Sequence, residues 1–79
     1  MPEYKEEDNK YDELKKMANI ATDLALSNKM RIQAINLLGD MASHESLLVL
    51  LNLAANDKLP IDERDLALKR AREIIKKGR

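Results

Sequence analysis

The 79-residue chain has no cysteine, tryptophan or phenylalanine, and it has only two glycines, two prolines, two tyrosines and one histidine. Each shortage removes a class of protein. Without cysteine there is no disulfide framework, and one histidine with no thiol argues against a structural zinc site. Two glycines are too few for a phosphate-cradling loop. Without tryptophan or phenylalanine the chain lacks the rings on which unpaired bases stack best, and Tyr4 and Tyr11 both lie in an acidic stretch. The longest unbroken apolar run, Leu47 to Leu51, is far below the roughly 20 residues of a membrane-spanning helix. The opening "MPEYKEEDNK" is acidic and polar, unlike a signal or transit peptide. The lack of cysteine fits a reducing compartment, so a cytoplasmic protein is expected.

Charge is present in quantity but sums to zero. Residues 1–13 carry six acids and two lysines, a net of −4, whereas residues 64–79 carry seven bases and two acids, a net of +5. Acids at the start of a first helix and bases at the end of a last one both suit the helix macrodipole. The same polarity also suits head-to-tail association or a nucleic-acid patch.

Apolar residues recur at three- and four-residue steps through most of the chain, which places them on single helix faces. A first helix is expected over residues 10–26, with Leu14, Met17, Ala18, Ala21, Leu24 and Ala25 on its buried side. A second is expected over 29–42, capped by Ser27 or Asn28, with Met30, Ala34, Leu37, Leu38 and Met41 in line. Gly39 falls inside it, where a glycine suggests close approach by a neighbour. The third, over 44–56 after a Ser43 cap, is apolar nearly all round: only Asn52 interrupts the run from Leu47 to Ala55. Pro60 marks a loop and Asp62 a cap for a fourth helix over 63–77, with Ala67, Leu68, Ala71, Ile74 and Ile75 inward. No segment alternates as a strand does. Residues 1–9 are expected to form a flexible acidic tail, and residues 10–79 one helical domain.

The helices repeat. Arg31, Ala34, Ile35, Leu38 and Met41 lie 33 residues before Arg64, Ala67, Leu68, Ala71 and Ile74. Leu14, Met17, Ala18 and Ala21 stand in the same relation to Leu47, Leu50, Leu51 and Ala54. A fixed period of this length is characteristic of stacked helical repeats, in which interior helices are covered on more sides than end helices. The expected fold is all-α: four helices forming a right-handed α-solenoid fragment of antiparallel pairs, with the third helix at its centre.

The stretch "MRIQAINLLGDMASHESLLVLLNLAANDKLPIDERDLALKRA" resembles HEAT repeats, in particular the short bacterial and archaeal HEAT-like type, over about residues 27–75. Arg31, Ala34, Ile35, Leu38 and Gly39 match the first helix of that pattern. Asp57 and Arg64 match its inter-repeat pair. The second unit lacks the Leu-Gly step and its closing helix. The resemblance implies a non-enzymatic module that binds other macromolecules.

The remaining candidates weigh little. His44 has no second ligand at helical spacing and reads as a residue of a helix start. Asp40 and Glu45 flank a turn, where solvated carboxylates are commoner than catalytic pairs. The methionines Met17, Met30 and Met41 read as core gap-fillers. No catalytic residue, cofactor or metal site is expected. The expected function is a protein-interaction or adaptor module that self-associates, with an apolar strip on the third helix formed by Val49, Leu50 and Leu53 as the interface of a two-fold homodimer. The rival is a small nucleic-acid binder whose phosphate contacts would be Lys69, Arg70, Arg72, Lys76, Lys77 and Arg79.

Overall fold

The computed structural model describes the backbone of residues 6–78 and the side chains of residues 12–78. It contains four helices, α1 (Glu6–Thr22), α2 (Asn28–Met41), α3 (His44–Ala54) and α4 (Ile61–Lys77), and no strand among the described residues. Residues 6–9, expected in the tail, are therefore helical; residues 1–5 lie outside the described residues.

Two short side chains set the helix ends differently from expectation. α1 stops at Thr22 because the Asp23 carboxylate accepts the backbone N–H of Ala25 at 2.9 Å, closing a turn that competes with the helix. Leu24 and Ala25 leave the buried face as a result, and Leu24 is 53% exposed. α3 stops at Ala54 for the same reason, with Asn56 Oδ1 accepting from the N–H of Lys58 at 3.0 Å. Pro60, not Asp62, occupies the N-cap of α4, so that helix begins at Ile61. Ser27 caps α2 through the N–H of Met30, and Ser43 and Ser46 form a reciprocal capping box on α3. Between α2 and α3 the chain turns on Ala42 in the left-handed conformation (φ 52°, ψ 31°), ending α2 at Met41.

The 33-residue period is written in these hydrogen bonds. Asp23 and Asn56 each donate their N–H three residues back, to Ile20 (3.3 Å) and Leu53 (3.1 Å). Each also accepts from an N–H three residues on, that of Leu26 or Leu59, at 3.1 Å. Their side-chain oxygens serve the equivalent Ala25 and Lys58. Both even helices then open with the N–H of an arginine, Arg31 or Arg64, donating to the N-cap carbonyl at 3.1 Å.

α1 packs most extensively on α2 and α3 on α4, giving two hairpins. α2 against α4 is the main junction between them, with smaller α2–α3 and α1–α3 contacts, and α1 does not touch α4 among the described residues. The whole is 17 Å across its thinnest direction. The core consists of Ala21, Ala34, Ile35, Leu38, Leu50, Leu53, Leu59, Ala67 and Ala71. α2, not α3, is the most enclosed helix: Arg31, Ala34, Ile35, Leu38 and Gly39 are buried on it, against Ser46, Leu50 and Leu53 on α3. Leu48 and Leu51 of α3 remain 49% and 38% exposed, so its unbroken apolar run does not mean burial on every side.

Candidate functional site

The most tightly built polar cluster joins the two hairpins. Arg31, at the start of α2, donates Nε and Nη2 to Glu63 Oε1 and Oε2 of α4 at 2.7 and 2.9 Å. Asn28 Nδ2 donates to the same Oε2. Arg31 Nη1 donates to the carbonyls of Leu26 (2.6 Å) and Asp23 (3.3 Å), which close the α1–α2 turn. Glu63 is wholly buried and Arg31 is 6% exposed. The Arg31 hydrogen bonds hold the Glu63 carboxyl below the usual carboxylate range, assisted by Asn28 and opposed by burial. Glu63 in turn raises the Arg31 guanidinium. These are structural roles: the Arg31 and Glu63 groups are buried and spend their hydrogen bonds on each other, on Asn28 and on the α1–α2 turn.

The sequence carries a signal for the Arg31–Glu63 pair. Glu63 shares the α4 face of Ala67, Ala71 and Ile74, and Arg31 shares the α2 face of Ala34, Ile35 and Leu38. A charged residue on each apolar face calls for a partner. The pair expected instead, Asp57 with Arg64, does not form. Asp57 is exposed in the loop and caps nothing, whereas Arg64 Nε donates to the carbonyl of Ala54 at the end of α3 at 3.3 Å. No ion pair joins Asp57 and Arg64 among the described residues.

A second cluster lies where α4 crosses α2. Arg70 lies over Gly39; a Cβ there would sit 2.4 Å from its Nε. Its Nη1 donates to Asn36 Oδ1 at 3.1 Å, and Nη2 pairs with Asp40 at 2.8 Å. Nε lies 3.1 Å from Glu73 Oε1 in an ion pair without hydrogen-bond alignment. Arg70, one of the expected phosphate contacts, is thus committed within the protein. Lys69, Arg72, Lys76 and Lys77 are exposed, and Arg79 lies outside the described residues.

The apolar strip expected on α3 is not there. Leu50 and Leu53 are 0% and 2% exposed and Val49 is half-buried, because these residues turn toward the core rather than away from it. On α3 the exposed apolar side chains are Leu48 and Leu51 instead, and the longer exposed lines lie on α4 and α2. Ile61 (70%), Leu68 (37%) and Ile75 (47%) follow one line along α4 at seven-residue spacing. Met30 (45%) and Leu37 (49%) do the same on α2. Beside Leu37 a shallow groove of about 390 Å³ is lined by Met17, Leu37 and Met41 and rimmed by Glu13 and Asp40.

Among the described residues no group of three His, Cys, Asp or Glu side chains is placed to hold a metal ion, and no helix is long and apolar enough to cross a membrane. His44 and Glu45 are exposed in the first turn of α3, and Asp40 is occupied by Arg70. Comparisons of the chain with family models, with curated proteins and with solved structures found no significant match.

Proposed function

We propose that this chain is a non-enzymatic protein-interaction module of two HEAT-like helix pairs, stacked as a right-handed α-solenoid fragment, that associates with itself. The 33-residue recurrence of loop hydrogen bonds and the α1–α2 and α3–α4 pairing support the stacked-repeat part. A cytoplasmic setting is supported by the absence of cysteine. The observation that carries the interaction part is the line of Ile61, Leu68 and Ile75, three large aliphatic side chains left in solvent on one side of α4. Single exposed apolar residues are ordinary; an aligned set is a mark of a contact surface. Sedimentation or light scattering across a concentration series tests this. A mass rising above the 9.0 kDa of one chain is expected. A constant monomer mass at millimolar concentration would overturn self-association.

Nucleic-acid binding is the second reading, favoured by the exposure of Lys69, Arg72, Lys76 and Lys77 on α4. With Arg70 held by Asn36 and Asp40, what remains is a generic phosphate footprint. Gel shifts with mixed-sequence DNA and RNA are expected to show weak binding that disappears with added salt. Tight, sequence-dependent binding abolished by Lys76→Glu with Lys77→Glu would instead favour this reading.

A further inference from the structure

The two exposed apolar lines occupy positions related by the repeat itself. α4 grips α2 through Glu63, which binds Arg31, and through Arg70, which lies on Gly39. The residues 33 positions earlier are Met30 and Leu37, the exposed pair on α2. On the receiving side, Arg31 binds Glu63 and Gly39 underlies Arg70, and the residues 33 positions later are Arg64 and Arg72, which flank Leu68 on α4. Helix geometry agrees. Leu37 is two residues from Gly39, and Leu68 two residues from Arg70, so each lies about 160° around its helix from the α2–α4 junction. The two lines therefore lie on the sides of α2 and α4 turned away from their junction.

From this placement we infer that the chain stacks head to tail on a second copy of itself, the Met30–Leu37 side of α2 in one copy seating on the Ile61–Leu68–Ile75 line of α4 in the next. The inference rests on the interaction-module reading and specifies its surface. Charge is compatible with the seating: Glu13 rims the α2 groove beside an Asp40 already paired with Arg70, whereas Arg64 and Arg72, with Asp65, flank the line on α4. The stems of both arginines add apolar contact to the aliphatic side chains. Because the two surfaces differ, the contact is heterologous, and each added copy presents a fresh surface unless a ring closes. Met30 stands where Glu63 stands in the internal junction, so Arg64 gains no buried carboxylate across the contact. Association should accordingly be weak and should weaken further with salt.

Complementation between two variants tests the geometry, read by sedimentation with helicity followed alongside. Leu37→Glu spoils the α2 side only, and Leu68→Glu the α4 side only. Each alone is expected to be monomeric, and a 1:1 mixture to form a heterodimer of one intact α4 line on one intact α2 side. Should Leu68→Glu lose helicity, Ile61→Glu, at a position 70% exposed, replaces it. Met30→Glu supplies the missing acid in the first turn of α2, where it also suits the Ser27 cap, and should tighten association about tenfold, the effect of one charge-assisted hydrogen bond. If the natural chain associates but the two variants do not recombine, the head-to-tail seating is wrong while self-association stands. Leu68→Glu monomeric with Leu37→Glu unaffected would show a two-fold contact through α4 instead. A natural chain that stays monomeric at millimolar concentration defeats both.

Discussion

Glu63 has both carboxylate oxygens filled and none of its surface in water. Removing one partner of such a pair leaves the other buried and uncompensated, so Glu63→Ala should lower the unfolding free energy by about 3 kcal/mol in urea titrations. Exchanging the pair together, Arg31→Met with Glu63→Leu, should return most of that loss; if it does not, the pair is more than a satisfied burial. The folded-state pKa of Glu63 is depressed, so its contribution is complete above the ordinary carboxylate pKa of about 4.3 and is lost as pH falls through the lower folded value. Acid unfolding of the natural chain should therefore be steeper below pH ~4 than that of Glu63→Gln. Gly39 permits a second test. Alanine there gains about 1 kcal/mol of helix propensity but displaces Arg70 from Asn36 and Asp40. Gly39→Ala should thus give little or no net gain alone and about 1 kcal/mol in an Arg70→Ala background, measured as a double-mutant cycle. The close approach over Gly39 was legible in the sequence. The guanidinium that makes it was not, because Arg70 reads as one base among many in "KRAREIIKKGR".

At the level of the element, all four helices were legible, as were the start of α3 and the end of α4, but the ends of α1 and α3 and the start of α4 were not. Apolar spacing carried the α1 pattern on through Leu24 and Ala25, but one carboxylate, that of Asp23, diverted the backbone before them. Periodicity reports faces; it does not report the competition between a helix and a local side-chain turn. Ser27 and Ser43 were legible as caps because a hydroxyl directly before an apolar-periodic run has few other uses. The left-handed Ala42 had no signal at all, since alanine favours continuing the helix. Alanine held at φ 52° is strained where glycine is not, so Ala42→Gly should stabilise the protein by about 1 kcal/mol despite the greater entropy of the unfolded chain. A fall in the thermal midpoint would mean that the Ala42 methyl contributes packing that outweighs its strain.

For the whole molecule, the 33-residue period was readable from apolar positions and reappears in the loops. The identity of the central helix was misread. α3 is the most apolar stretch but leaves Leu48 and Leu51 in water, whereas α2 carries Arg31 and Gly39 on its inner face and is more enclosed. Burial of α2 was hidden because its inner face holds a paired charge and a glycine, which lower its apparent hydrophobicity. The interface expected on Val49, Leu50 and Leu53 failed with that assignment. Among the described residues α1 does not touch α4, so the two hairpins meet mainly where α4 packs on α2. Each hairpin joins neighbours in sequence and closes a short loop at small entropic cost, while Arg31–Glu63 must bridge 32 residues. The hairpins are thus expected to form early and their docking late, so Glu63→Gln should accelerate unfolding in stopped-flow measurements and leave refolding nearly unchanged. The junction between the hairpins then sets how long a folded molecule lasts, not how quickly it is made.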